Sequence, residues 1–175
     1  RFNCNCVIAA SIWSEFTING REDEYTWSEP YCNNTPVVIV KSDSNMNSFD
    51  DLKGQPVEIQ QGTSAWKTIK NDTSLNDTFS NITEVDTYDT AMMDLQSGVC
   101  KGMIADSGIA NYIVVEKCPN CKILNESISQ EKYGVGFKKG NTELRDHVQK
   151  TLDEMFKDGT VDKIAQNYSK YNIPQ

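Results

Sequence analysis

The sequence predicts an α/β protein in which helices flank mostly parallel sheets. Segments of strand composition alternate with segments of helical periodicity between residues 36 and 137, and the last third of the chain is helical in pattern. The composition, 38% hydrophobic and 24% charged, is that of an ordinary globular protein. Alternating strands and helices are typical of parallel strands joined by helices that cover both faces of a sheet.

The first predicted elements come after a long N-terminal stretch. The β-branched run Pro36–Lys41 predicts a strand. Residues 50–54 predict a short helical turn ended by glycine, and residues 56–60 predict a second strand. The Gly-Thr-Ser that follows predicts the start of a helix with Thr63 as its N-cap. Residues 71–81 are polar and rich in turn formers, which predicts a loop.

The rest of the chain continues this alternation and then becomes helical. Strands are predicted at Ile82–Val85 and at residues 101–105, 122–124 and 133–137, and helices at Tyr88–Ser97 and from Asp106 to about residue 115. Asn141 is the predicted cap of a helix with an apolar stripe, and Thr160 is the predicted cap of the next. The stripe consists of Leu144, Val148, Leu152 and Met155.

Charge and hydropathy exclude some functions. A net charge of -8 argues against nucleic-acid binding and against attraction to an anionic membrane, since both need a basic face. No apolar run approaches the roughly 20 residues of a membrane-spanning helix. Because the first residue is Arg1 and not methionine, we expect that a leader or tag has been removed.

The cysteine content favours an oxidising compartment. Pro-Asn between Cys118 and Cys121 forms a turn that suits a small local disulfide. A zinc site would need this pair to meet Cys4 and Cys6, and no thioredoxin-like strand precedes Cys118. For these cysteines we therefore prefer a structural disulfide or free thiols over a metal site or redox chemistry. The cysteines are Cys4, Cys6, Cys32, Cys100, Cys118 and Cys121.

Candidate binding residues follow from the strand ends and turns, because ligands of such sheets bind beyond the carboxyl ends of strands. Thr63 and Ser64 open a helix whose N–H groups and hydroxyls suit an anion. Asp106 ends a strand and suits a cation, while Arg21 lies in a turn near Thr17 and suits a carboxylate. Together these groups would complement the carboxylate and the ammonium group of a free amino acid. Taken singly, Thr63 and Asp106 are equally compatible with helix caps, and Arg21 with a surface charge.

Several ordered segments resemble the extracellular solute-binding family 3, which feeds polar amino-acid ABC importers. Residues 16–31 contain FTINGRED and YTWSEPY, similar to a family signature. Residues 48–64 (SFDDLKG, PVEIQQGTS) and 91–106 (AMMDLQSGVCKGMIAD) resemble the family's second lobe. Residues 133–168, beginning YGVGFKKGN, resemble the return strand and closing helices. The match runs in order over about residues 11 to 171.

The resemblance implies a two-lobed, periplasmic-binding-protein-like fold of type II that closes on its ligand. Two hinge strands are expected at Pro36–Lys41 and at residues 133–137. Residues 41–131 would form lobe 2 completely, whereas residues 1–40 and 132–175 would form only part of lobe 1. We therefore expect either a domain-swapped dimer or a missing segment of lobe 1.

The resemblance also implies the role of each site residue. Arg21 and Thr17 match the positions that grip the ligand carboxylate, and Thr63, beside Ser64, faces the same group. Asp106 matches the receptor of the ligand amine. No catalytic residue, metal or cofactor is implied. Glu15 departs from the small residue of the family, which favours a ligand with a cationic side chain.

The implied partners are a small-molecule amino acid and the membrane subunits of an ABC importer, with no nucleic acid. The implied location is extracytoplasmic, as a cell-surface lipoprotein or in the periplasm, after a signal peptide. Two alternatives use the same fold. One is a ligand-binding sensor domain of a membrane receptor, which the six N-glycosylation sequons would suit. The other is a dehydratase-like enzyme, for which the only histidine, His147, is poorly placed on a closing helix.

Overall fold

The computed structural model describes residues 10–11 and 17–167, and within this range the chain divides into two compact units. Unit 1 contains the described parts of residues 1–34 and 131–175, and unit 2 contains residues 35–130. The strands are β1 (Ala10–Ser11), β2 (Thr26–Trp27), β3 (Cys32–Asn34), β4 (Pro36–Lys41), β5 (Val57–Gln60), β6 (Ile82–Val85), β7 (Gly102–Asp106), β8 (Cys121–Ser127), β9 (Glu131–Tyr133) and β10 (Gly136–Phe137). The α-helices are α1 (Ser64–Asn71), α2 (Thr73–Thr78), α3 (Tyr88–Ser97), α4 (Ser107–Tyr112), α5 (Thr142–Lys157) and α6 (Thr160–Gln166).

A five-stranded sheet in the order β6-β5-β7-β4-β8 forms the centre of unit 2. β5 pairs in parallel with β6 and β7, whereas β4 pairs antiparallel with β7 and β8. Four strands therefore run in one direction and β4 alone runs against them. The predicted α/β class is confirmed, and the sheet is mixed because β4 is antiparallel to both of its neighbours.

Helices cover both faces of this sheet, and each face has its own apolar core. Val38 and Val40 of β4 point into one core, which also holds Phe79 against Phe49 with ring centroids 5.2 Å apart. Val37 and Ile39 point into the other core, with residues of α3 and α4. Alternate residues of β4 are thus buried on opposite faces, as expected for a strand inside a two-faced layer.

The ends of several helices test the predicted caps. Asn141 caps α5, since its Oδ1 accepts a hydrogen bond from the Leu144 N–H. The prediction that Thr160 caps α6 is wrong: Gly159 holds the N-cap position, and the Thr160 N–H donates to Asp158 Oδ1. The predicted loop at residues 71–81 is also wrong, because it contains α2. A local side-chain bond, from the Leu75 N–H to Asp72 Oδ1, is sufficient to start that short helix.

Unit 1 has two small antiparallel sheets, β1-β10-β2 and β3-β9, and the helices α5 and α6. The single strand predicted at residues 133–137 is two strands, because β9 pairs with β3 while β10 pairs with β1 and β2. Gly134 separates them; a Cβ there would lie 2.8 Å from the Ile18 side chain. The apolar stripe of α5 is only half-buried.

Some of the expectations from the sequence stay predictions. The strand β4, expected as a hinge, pairs within unit 2 with β7 and β8. The lobe boundaries at residues 40 and 132 stay a prediction, as do the domain swap and the missing lobe segment. Cys4, Cys6 and Glu15 lie outside the described residues. Within residues 10–11 and 17–167, none of the helices has both the length and the apolar character needed to cross a bilayer.

Three of the cysteines lie in the core of unit 2 that contains Val37 and Ile39. Cys118 and Cys121 form a disulfide across the turn that leads into β8, so the local disulfide favoured by the sequence is confirmed. The two cysteines are 0% and 4% exposed. Cys100 is 1% exposed and belongs to the same core. Burial, with the nearby Glu58 and Asp94 carboxylates adding to it, raises the pKa of the Cys100 thiol to about 12.

We expect Cys100 to be unreactive in the folded protein, because a thiol that stays protonated and buried is a poor nucleophile. At pH 8, iodoacetamide should modify Cys100 at least about a hundredfold more slowly in the native protein than in denaturant, since reaction requires local opening. Peptide mapping by mass spectrometry measures this, with half-buried Cys32 as the internal comparison. Equal native and denatured rates would contradict the assignment.

Candidate functional site

Unit 2 brings three of the predicted binding residues to one edge of its sheet. β5 and β7 are parallel neighbours in which Ile59 lies opposite Ile104, so their carboxyl ends emerge side by side. Thr63 and Ser64 follow β5 and begin α1, while Asp106 ends β7. The edge thus places hydroxyls and helix N–H groups beside a carboxylate.

Thr63 occupies the N-cap position of α1, but its side chain does not cap that helix. Its hydroxyl instead donates to the Gln60 carbonyl oxygen at 3.1 Å. This bond closes the loop between β5 and α1 and leaves the first N–H groups of α1 without a bond from the Thr63 side chain. Such N–H groups are suited to an anionic ligand group.

Asp106 lies at the N-cap position of α4 in an extended conformation, and its carboxylate likewise makes no capping hydrogen bond. Helix capping therefore does not explain an acidic residue at this strand end. The next residue, Ser107, was not singled out in the sequence. It is 8% exposed, and its Oγ has no hydrogen-bond partner within the described part of the chain. A buried polar atom of this kind calls for a water or ligand partner.

The end of β6 completes this edge. Gln61 Nε2 donates to Asp86 Oδ1 at 3.0 Å, and Gln60 Nε2 donates to the Asp86 carbonyl oxygen at 3.2 Å. The Gln61 N–H also donates to the Val85 carbonyl oxygen. These bonds attach the β5–α1 loop to the neighbouring strand. They were missed in the sequence because partners 24 to 26 residues apart give no local pattern.

Unit 1 holds the other two predicted residues in one short segment. Thr17 is 2% exposed and forms an isolated β-bridge with Tyr133. A tight turn follows, in which the Arg21 N–H donates to the Ile18 carbonyl oxygen at 2.9 Å. Gly20 has a φ of 76°, the left-handed value that a type II turn requires at this position.

The main chain at Arg21 is fixed from two further directions. Its carbonyl oxygen accepts hydrogen bonds from Trp27 Nε1 at 3.1 Å and from the Glu24 N–H at 3.0 Å. The Trp27 ring packs edge-on against Tyr25, with centroids 5.3 Å apart. The half-buried Arg21 therefore starts from a rigid backbone, which lowers the entropy lost when its guanidinium binds a carboxylate.

Comparison with known proteins identifies the family. A model described as bacterial extracellular solute-binding proteins, family 3, matches residues 9–171. The chain belongs to this family. The L-cystine-binding protein TcyA of Bacillus subtilis is 30% identical over 150 residues, which cover 85% of the chain and 54% of that protein. The ABC transporter arginine-binding protein 1 of Escherichia coli is 27% identical over 153 residues, covering 85% and 60%.

Solved structures confirm the predicted two-lobed type II fold. The arginine-, lysine-, histidine-binding protein ArtJ of Geobacillus stearothermophilus superimposes with a TM-score of 0.79 at 25% identity, covering 94% of the chain and 71% of ArtJ. This family member spans only 54% to 60% of the two curated relatives described above. Both relatives are named for the amino acids that they bind.

Proposed function

We propose that this family 3 protein binds a free polar amino acid outside the cytoplasm and delivers it to an ABC importer. The observation that carries the proposal is the edge of unit 2, where Asp106 ends β7 beside Thr63 without capping a helix. A carboxylate next to hydroxyl and N–H donors matches the two charged groups of a zwitterion. Family membership supports the same substrate class.

The proposal assigns a role to each candidate residue. Arg21 and the Thr17 hydroxyl bind the ligand carboxylate, and the start of α1 at Thr63 and Ser64 contributes N–H and hydroxyl donors to it. Asp106 binds the ammonium group. The recognition is by charge-assisted hydrogen bonds, which are roughly twice as strong as neutral ones.

The relatives support a polar substrate and a transport role. Curated relatives, including the two described above, are named for arginine, cystine, glutamine or lysine, and these ligands share the zwitterionic backbone but differ in side chain. We propose that this chain likewise binds without catalysis, and that it acts in the periplasm or as a cell-surface lipoprotein with the importer's membrane subunits as partners.

A substitution at Asp106 tests the proposal. We expect Asp106→Asn to weaken binding of the preferred amino acid by about 10- to 100-fold, because a charge-assisted bond worth roughly 1.5–3 kcal/mol is lost. Isothermal titration calorimetry with arginine, lysine, glutamine and cystine identifies the ligand and measures the change. The same calorimetry should show poor binding of the N-acetylated ligand.

Asp77→Asn is the matched control, since Asp77 is exposed on α2, which follows the far end of α1. Its affinity should equal that of the unmodified protein. Equal affinities for free and N-acetylated ligand would reject the role of Asp106. The absence of binding by all four amino acids would reject the proposed substrate class.

A further inference from the structure

The turn that carries Arg21 contains an Asn-Gly sequence whose surroundings are those of a reactive site. Asn19 and Gly20 are both exposed, and a Cβ at Gly20 would meet nothing within 4 Å. In an Asn-Gly pair the main-chain nitrogen of the glycine can attack the side-chain amide carbon of the asparagine, because no side chain hinders the approach.

Two hydrogen bonds activate the two reacting groups. The Gly20 N–H, the nucleophile, donates to Glu22 Oε1 at 3.1 Å. Asn19 Oδ1, the oxygen on which negative charge would develop, accepts a hydrogen bond from the Lys132 N–H at 3.0 Å. The first contact places a base on the attacking nitrogen. The second is an oxyanion-type donor that is already in place before reaction.

We propose that Asn19 is a site of spontaneous deamidation, with Glu22 as the base and the Lys132 N–H as the oxyanion donor. The Gly20 nitrogen forms a bond to Asn19 Cγ as its proton passes to Glu22. The Cγ–Nδ2 bond then breaks and the proton leaves with the amide as ammonia, which gives a cyclic imide. Water opens either carbonyl of the imide and yields aspartate or isoaspartate, so the net change is water consumed and ammonia released.

The Glu22 carboxylate is in its ionised form, the form that can accept a proton, at neutral pH. Hydrogen bonds from backbone N–H groups, first its own and then that of Gly20, hold its pKa below the usual value. The group is therefore ionised whenever the protein is near neutrality, and it acts as an acceptor toward Gly20. No oxidant, metal or second protein is needed, because water is the only other reactant.

The modification would affect the proposed binding function, on which this consequence rests. Isoaspartate adds one methylene to the main chain two residues before Arg21. It also replaces the side-chain amide whose oxygen accepts the bond from the Lys132 N–H. Both changes disturb the turn closed by the Arg21 N–H and the Ile18 carbonyl oxygen. We therefore expect modified molecules to lose their ligand affinity.

The whole chain is incubated at roughly pH 7.4 and 37 °C, conditions under which local opening is modest. Peptide mapping then measures the reaction. The peptide with Asn19 should gain the mass of an amide-to-acid exchange and split into aspartate and isoaspartate forms. Asn47-Ser48, also an exposed asparagine before a small residue, is the internal control and should stay intact over the same period. An Asn19 peptide as stable as the Asn47 peptide would overturn the proposal.

Two variants separate the parts of the mechanism. Glu22→Gln should slow the conversion of Asn19 several-fold while leaving the fold unchanged by circular dichroism; an unaltered rate would remove Glu22 as the base. Asn19→Gln should not convert, because its longer side chain would have to form a larger ring. Since mass spectrometry detects the modification without any ligand, a failure of amino-acid binding would count against the proposed function alone. Unchanged affinity of a fully converted sample would overturn the inferred effect on Arg21.

Discussion

We expect replacement of Arg21 by alanine to lower the affinity for the proposed amino-acid ligand by at least tenfold, and replacement by lysine to retain only part of it. The guanidinium has two parallel N–H groups that match both oxygens of a carboxylate, whereas an ammonium group is a point charge. A loss of roughly 1.5–3 kcal/mol corresponds to about 10- to 100-fold in the dissociation constant. Calorimetry with the ligand found for the unmodified protein gives this value.

The structure offers a matched control within the same unit. Arg145 on α5 directs its guanidinium to the Trp27 carbonyl oxygen at 3.1 Å and pairs with Asp146. Arg145→Lys makes the same chemical change as Arg21→Lys at an arginine that is not proposed to contact the ligand, so we expect it to alter stability slightly and affinity not at all. If Arg21→Ala binds as tightly as the unmodified protein, Arg21 is a surface charge, and the carboxylate is held elsewhere.

Glu58→Gln should raise the free energy of unfolding at pH 8 by about 1–2 kcal/mol. This is about the free energy that a buried polar group costs when it has no hydrogen-bond partner. Glu58 lies on β5, is 6% exposed, and has one carboxylate oxygen, Oε2, without a hydrogen-bond partner in the described range. Burial raises the pKa of Glu58 from its ordinary value of 4.5, and the neighbouring Asp94 carboxylate raises it further. A neutral amide removes the charge and can donate to Asp94.

The pH dependence follows from the direction of this shift. Because the pKa of Glu58 is higher in the folded protein than in the unfolded chain, its contribution to stability is full below the unfolded pKa of about 4.5 and is lost as pH rises through the folded pKa. The advantage of Glu58→Gln should therefore be large at pH 8 and small at pH 4. Urea unfolding at both pH values measures it.

Glu84→Gln is the control, since Glu84 is exposed on the adjacent strand β6 and its only described ion pair, with Lys70, is long at 4.0 Å. Its stability should follow that of the unmodified protein at both pH values. A Glu58→Gln variant that is less stable at pH 8 would show that the carboxylate of Glu58 is held charged by a favourable partner.

The sequence by itself determined the elements whose causes are local. The strand Pro36–Lys41 is marked by its β-branched run, and the helix Tyr88–Ser97 ends at Gly98 in the left-handed conformation that glycine tolerates. The cap at Asn141 and the disulfide at Cys118–Cys121 also depend on residues within four positions of each other. Ordered family motifs added the two-lobed fold and the names of the candidate site residues.

Tertiary structure alone decided the features that depend on distant partners. The direction of β4 within the sheet is set by its pairing with β7 and β8, and the break between β9 and β10 is set by their different partner strands. The same holds for the hydrogen bond from the Lys132 N–H to Asn19 Oδ1, and for the buried position of Glu58 beside Asp94. Propensity and periodicity report only on near neighbours in the chain, whereas pairing, burial and the pKa depend on what the folded chain brings next to each residue.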